Sequence, residues 1–424
     1  MSETTPATRN ILILSPQPFF QNRGTPIAVR ILAQELALLG HSVHLLVYHE
    51  GEDIDIPGVV LHRIPKIWGV NNIPPSLSWK KLLCDVFMFF KAIQLHRRYR
   101  YEIIHAVEES AFMALVMKKI FGTPYIYDMD SSLAAQVIEK FSFLRPLRRL
   151  LEFFERLVIN ESFGVVAVCK ALEDIALACS SDKLVVRLED VSLLETTACA
   201  DELLRQRYNI SGPIMLYVGN LEKYQGIDLL LEGFQLALQQ GCQGNVVIIG
   251  GTEQTIAAYK KYAEELDILN HTYFCGPRPV ALLGYYLAQA DILLSPRIQG
   301  DNTPMKLYSY LDSGKVVLAT NLPTHTQVLQ EAFACLVEPT REGMAGGMVR
   351  LLGDAELRDQ LGKKGGKVAR EKYSLAAFKV KLKRFYQEVS RGLQAMYRTV
   401  LVAITLNYEV EAVVLEIFAG GTQL

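Results

Sequence analysis

The chain has 424 residues, 50% of them hydrophobic and 21% charged, with 44 Lys and Arg against 45 Asp and Glu and a formal net charge of -1. That composition is a folded globular one, long enough for two or three domains, and it excludes a disordered or collagen-like chain. The near-neutral balance lacks the basic excess that nucleic-acid backbones demand, and seven scattered cysteines without a CxxC pair fit a reducing compartment better than a disulfide framework or a zinc site.

Residues 1–10 are polar and the apolar run 11–14 is too short for a secretory leader. Residues 10–15 read as a strand, and Gly24-Thr25-Pro26 opens a helical pattern over 27–39 that Gly40 closes. Further strands are expected at 42–48, 59–64, 102–106 and 124–127, with a helix at 110–121, and 165–168 closes this half. The rhythm restarts near Pro213 with a strand at 214–218, a helix at 227–239, a strand at 246–249 and a helix at 256–266. Strands at 273–275, 292–295, 316–319 and 334–337 complete the second half. Strands alternating with helices imply two doubly wound, mostly parallel α/β domains facing across a cleft, and the cleft is the default ligand site. The expected organisation is a first domain over 1–195, a linker over 196–212, a second domain over 213–375, a crossover helix over 376–392 and an extension over 393–424 without an assigned role. Residues 399–418 are apolar but interrupted by Asn407, Glu409, Glu411 and Glu416, and so fail as a membrane span.

Two segments mix apolar and basic residues. Residues 79–101 combine Leu82, Val86, Phe87 and Phe90 with Lys80, Lys91, Arg97 and Arg98, and residues 138–159 combine Phe143, Leu150, Phe153 and Phe154 with Arg145, Arg148 and Arg149. Each reads either as a core helix with a solvated basic end or as a helix lying on an anionic membrane. The expected location is cytoplasmic, with peripheral membrane contact through residues 79–101.

The stretch 295–320 carries the most chemistry. Thr303 reads as an N-cap, with Pro304 in the first turn of a helix over 305–311 that Gly314 ends, and Lys306 adds a cation one turn in. A capped helix start facing the cleft suits a diphosphate, although the same signals serve an ordinary α/β connection. The polar loop before it supplies Arg297, Asp301 and Asn302. After the strand at 214–218, Gly219 lets the backbone approach a ligand, with Asn220, Lys223 and Gln225 projecting from the same loop. In the first half, Gly24 and Thr25 stand in a comparable position. Asp128-Met129-Asp130 imitates a metal-chelating carboxylate pair, but such a pair arises easily by chance and no metal is expected. Neither a P-loop nor a dinucleotide fingerprint is present.

These residues together resemble the family-4 retaining glycosyltransferases of the GT-B fold over residues 10–390. The likeness rests on the Gly24 loop, Leu39-Gly40-His41-Ser42-Val43, Gly219, Phe274-Cys275-Gly276, Ala290-Asp291, the block 304–320, Leu351-Leu352, Leu361-Gly362 and Tyr373-Ser374. It implies two Rossmann-like domains, a nucleotide-sugar donor held by the second, a glycan or lipid-linked acceptor held by the first, and no required cofactor. The two glutamates that the family commonly carries align with Asp301 and Ser309, and the usual arginine and lysine of the early second-domain loop align with Asn220 and Gln225. Lys223, Arg278, Arg297 or Lys306 would supply the missing charge. Asp130 falls where the family places a polar group against the transferred sugar. The resemblance thus implies Asp301, Asp130 and Lys306 as catalytic. It implies Gly24, Thr25, Gly219, Asn220, Lys223, Gln225, Arg278, Arg297, Asn302, Thr303, Met305 and Ser309 as donor-binding. A non-catalytic GT-B binding or regulatory subunit and a sugar-nucleotide epimerase stand as alternatives.

Overall fold

A computed structural model of the protein describes residues 8–21, 24–74, 78–194, 203–300 and 302–420, with the backbone alone at 142 and 400–420. The first domain is a seven-stranded parallel sheet in the order β3-β2-β1-β4-β5-β6-β7. Its strands are β1 (Asn10–Leu14), β2 (Ser42–Val47), β3 (Val59–Arg63), β4 (Ile103–Val107), β5 (Tyr125–Met129), β6 (Gly164–Ala167) and β7 (Leu184–Arg187). The half does not end at 165–168: β7 extends the sheet by one edge strand, and its partly exposed residues lack the buried apolar run that marks the inner strands. The second domain is a six-stranded parallel sheet in the order β10-β9-β8-β11-β12-β13. Its strands are β8 (Ile214–Val218), β9 (Asn245–Ile249), β10 (Thr272–Gly276), β11 (Ile292–Ser295), β12 (Val316–Thr320) and β13 (Cys335–Val337).

Each sheet is buried on both faces, as all-parallel sheets are. Along β1, Ile11 and Ile13 enter one core while Leu12 and Leu14 enter the other. Along β8, Ile214 and Leu216 alternate in the same way with Met215 and Tyr217. The strand order reverses between β1 and β4 and between β8 and β11, and in such sheets a crevice opens beyond the strand ends at that point. Gly24 follows β1, Gly219 follows β8, Asp130 follows β5 and Arg297 follows β11, so the candidate residues come from these ends.

The helices of the first domain used below are α1 (Gly24–Leu38), α2 (Trp79–Tyr99), α3 (Ser110–Phe121), α4 (Leu133–Lys140), α5 (Arg148–Glu161) and α6 (Lys170–Cys179). Helix α1 starts at Gly24, three residues before the apolar pattern. Helix α2 resolves its two readings by doing both. Cys84, Met88, Ala92 and Leu95 sit in the core beneath the sheet, whereas Trp79, Leu82, Val86, Phe87 and Phe90 on the opposite side are exposed. Helices α3 and α5 pack into the same core through Ala111, Ala114, Met117, Val158 and Ile159, and they too leave Val116, Ile120, Leu150, Phe153 and Phe154 in solvent.

The chain's last helix, Leu375–Gly420, is one unbroken element, longer than the 376–392 crossover read from the sequence. Phe378, Leu382, Phe385, Tyr386, Val389 and Leu393 recur at helical spacing and are buried in the first domain's core. Lys379 pairs with Glu35 at 3.1 Å. This helix therefore carries the chain from the second domain back onto the first. Among the described residues, no helix is long and apolar enough to cross a membrane.

Candidate functional site between the two domains

A cavity of about 440 Å³ lies at the second domain's strand ends and is closed from the first domain by Gly24 and Ile27. Gly219, Asn220, Gln225, Arg278, Arg297, Met305, Lys306 and Ser309 line it. Gly219 has φ 154°, and a Cβ there would lie 2.9 Å from the Tyr217 hydroxyl and 3.4 Å from Lys306 Nζ. The positive φ and the close Tyr217 hydroxyl both favour glycine here.

Lys306 is the site's central charge. Its Nζ lies 3.4 Å from Gln225 Oε1 and 3.9 Å from the centre of the Tyr217 ring, and it has no carboxylate partner among the described residues. Lys306 is partly open to the cavity it lines, yet the protein around its ammonium, and then the Arg297 charge, push its pKa well below the usual lysine value. The short helix that carries it, Lys306–Asp312, is clamped to β8 because the Val218 N–H donates to the Tyr310 hydroxyl at 2.8 Å. Arg297 donates to the carbonyls of Gln299 and Asn302 and stands 5.1 Å over the Tyr224 ring. His325 fixes the base of this loop: it hydrogen-bonds Ser295 Oγ at 2.9 Å, and burial lowers its pKa to about 4, so it packs as a neutral ring.

Several sequence-derived assignments change. Thr303 is not an N-cap. Met305 occupies that position without a side-chain cap bond, because the first turn closes tightly with the Leu307 N–H on the Pro304 carbonyl. Thr303 is buried, and its hydroxyl has no partner among the described residues. Lys223 is exposed on a short 3-10 turn, Lys223–Gln225, and stays out of the cavity, while Gln225 is buried in its wall. Ser309 is fully buried and accepts from the Leu193 N–H at 2.9 Å. Thr25 hydrogen-bonds Asp130 instead of reaching the cavity. Asn302 lies off the cavity wall and donates to the Asp130 carbonyl, bridging the domains. Asp301 lies outside the described residues.

Asp130 occupies a neighbouring pocket of about 30 Å³, room for little more than one water, lined also by Asp128, Asp190 and Glu189 and sharing Met305 with the larger cavity. Burial, then Asp128, Glu108 and Asp190, hold Asp130 well above the usual carboxylate range, with the Thr25 hydrogen bond working against them. Burial, then Asp128 and Glu189, push Asp190 up to about 7. Asp128 is engaged by His105 Nε2 at 3.0 Å, and His105 Nδ1 meets the Tyr386 hydroxyl of the last helix at 2.8 Å. Among the described residues, no three His, Cys, Asp or Glu side chains are placed so that they could hold a metal ion together. The sequence reading missed Asp190 because it missed β7, whose end carries it. His105 and Tyr386 are 281 residues apart, beyond any local signal.

Two family models match the chain: one described as "Glycosyl transferase 4-like domain" over residues 23–187 and one described as "Glycosyl transferases group 1" over residues 201–368. Phosphatidyl-myo-inositol mannosyltransferase of Mycolicibacterium smegmatis is 24% identical over 206 residues, which is 46% of this chain and 50% of that protein. The match thus spans about half the length of this curated relative. Among solved structures, sucrose-phosphate synthase of Thermosynechococcus elongatus superposes with a TM-score of 0.74 at 18% identity over 91% of this chain and 100% of that one. Anabaena HepE, solved in complex with UDP, gives 0.68 at 14% over 91% and 100%. At these identities the likeness to the solved structures is one of fold.

Proposed function

The chain belongs to the group 1, family-4-type glycosyltransferases of the GT-B fold, and from that premise we propose that it moves a sugar from a nucleoside-diphosphate donor in the 440 Å³ cavity to an acceptor on the first domain, with retention at the anomeric carbon. The observation that carries the donor assignment is Lys306. A half-buried ammonium without an acidic partner is unfavourable in the empty protein, and a diphosphate restores the missing charge. Arg297 and Arg278 line the same cavity, and with Lys306 they bring side-chain cations to the leaving group. In the reaction the acceptor hydroxyl oxygen bonds to the anomeric carbon, the bond from that carbon to the diphosphate breaks, and the hydroxyl proton leaves with the nucleoside diphosphate. Lys306 stabilises the charge that develops on the departing phosphate, and Asp130, next to the cavity across Met305, orients the transferred sugar.

The acceptor side supports work at a membrane surface. The exposed apolar side chains of α2, α3 and α5 stand on the outer side of one helical layer, with Lys80, Lys91, Arg97, Arg98 and Arg149 among them. Exposed aromatic and aliphatic side chains interleaved with basic ones suit an anionic bilayer. Replacing Trp79 and Phe90 with serine is expected to abolish co-sedimentation with vesicles containing phosphatidylglycerol.

The function is tested by thermal shift with UDP-, GDP- and ADP-sugars, followed by NMR of the product of the stabilising donor. Stabilisation by one donor and a product of unchanged anomeric configuration support the reading. Inversion would remove retention, and donor binding without transfer or hydrolysis would favour a non-catalytic binding protein.

A further inference from the structure

A second cavity, of about 870 Å³, lies between α4, α5 and α6 of the first domain and Arg297, Gln299, Gly300, Asn302 and Pro323 of the second. It adjoins the donor cavity directly. Arg297 lines both, Ser131 and Ser132 of its wall follow Asp130 in the chain, and Asn302 on the same wall donates to the Asp130 carbonyl. A group seated here therefore reaches the junction where a donor sugar would stand.

The cavity's charges decide what it takes. Its wall carries Arg145, Arg148 and Arg156 from the first domain, opposed by Glu139, Glu152 and Glu155. Glu155 is buried and already committed: its oxygens accept from the Leu133 and Ala134 N–H groups and the Ser132 hydroxyl, capping α4. Burial raises its pKa, and the same three hydrogen bonds work against that shift. Glu152 pairs with Arg148 at 2.7 Å. Arg145 and Arg156 have no ion-pair partner among the described residues, and only Glu139 remains against them. Ile138, Leu172 and Ile175 supply an apolar wall. Two unpaired guanidinium forks in one cavity match a phosphate, whose oxygens accept several charge-assisted hydrogen bonds at once.

From this arrangement we infer that the cavity receives the acceptor and that Arg145 and Arg156 bind a phosphate group on it. The inference rests on the transferase reading of the donor cavity. It also gives α5 two duties, because Arg148, Glu152, Glu155 and Arg156 face the cavity while Leu150, Phe153, Phe154 and Leu157 lie on the opposite side in solvent.

The test is calorimetric titration of the full chain, saturated with whichever of UDP, GDP or ADP it binds. The probes are glycerol 3-phosphate, glycerate, glycerol, and dihexanoyl phosphatidic acid below its micellar concentration. Either phosphate probe is expected to bind, with glycerol and glycerate at least about tenfold weaker. Arg145→Gln and Arg156→Gln should each weaken the phosphate probe about tenfold, the loss of one charge-assisted hydrogen bond. The Arg145→Lys, Arg156→Lys double variant should recover part of the loss, and nucleoside-diphosphate affinity should not change. Preference for dihexanoyl phosphatidic acid assigns the phosphate to a lipid, and equal affinity for glycerol 3-phosphate assigns it to a soluble ester. Phosphate binding no tighter than glycerate, or unaffected by the glutamine variants while the nucleotide still binds, would overturn the inference alone. Failure of every nucleoside diphosphate to bind would instead overturn the donor reading.

Discussion

The two sides of the cleft hold opposite charges in similar surroundings. On the second domain, Lys306 lines the larger cavity and has no carboxylate partner among the described residues. On the first, Asp130, Asp128, Asp190 and Glu189 crowd a pocket across Met305 from it. Burial acts against both sets, lowering the pKa of Lys306 and raising those of Asp130 and Asp190. Lys306 and Asp130 are thus each poised for a ligand that supplies what it lacks: negative charge for the ammonium, and hydroxyl donors or developing positive charge for the carboxyl group. A sugar joined to a diphosphate supplies both across one bond.

Breaking either side should have distinct consequences. The largest effect is expected from Asp130→Asn, which keeps the shape but removes the titratable carboxyl group. Turnover should fall about 10²-fold with little change in donor KM, and a loss confined to KM would place Asp130 in ground-state binding instead. Lys306→Met should weaken nucleoside-diphosphate binding by about 1.5–3 kcal/mol. The empty variant should nonetheless melt higher than the wild type, because an unpaired buried cation has been removed. A lower melting temperature together with unchanged affinity would make Lys306 a structural residue.

Smaller effects sharpen the comparison. Ser309→Ala removes the acceptor of the Leu193 N–H bond and should cost about 0.5–1.5 kcal/mol of stability, read as a lower melting temperature with kcat preserved. An unchanged melting temperature would show that the bond contributes nothing to the fold. Asp190 tests the carboxylate side through stability. Its pKa is raised from 3.8 to about 7, so between these values the folded protein holds a proton that the unfolded chain has released, and stability contributed by this group falls as pH rises. The difference in melting temperature between wild type and Asp190→Asn should therefore shrink on acidification from neutral pH towards the unfolded value. A difference constant over that window would show that Asp190 is not the titrating group.

The regular parts of the molecule were legible in the sequence because apolar periodicity is local. Helices Ser110–Phe121 and Ile227–Gln239 and strands β8 and β11 stand where their patterns end. The edge strand β7 was not, since a half-exposed four-residue strand carries little hydrophobic signal, and Asp190 was lost with it. Lys306 was legible as a cation one turn beyond Pro304, yet its reason was misread. The N-cap expected at Thr303 does not form, and the Lys306 side chain instead lies over the ring of Tyr217 and against Gln225. The acceptor-side cavity was illegible, because Arg145, Arg156 and Arg297 meet only through tertiary packing. The exposed faces of α2 and α5 were half legible: composition showed their mixture of apolar and basic residues, and only the packing showed which side is covered.

The central claim is that Lys306 awaits a diphosphate, and proton uptake on binding tests it most directly. In the empty protein its pKa is depressed, and a bound diphosphate should restore it. Between those two values, binding must therefore draw a proton from solution, and affinity must fall as pH rises. The measurement is calorimetric titration of the bound nucleoside diphosphate in buffers of different ionisation enthalpy, on wild type and Lys306→Met. The account predicts proton uptake by the wild type that disappears in the variant. Equal uptake in both, or proton release by the wild type, would contradict it.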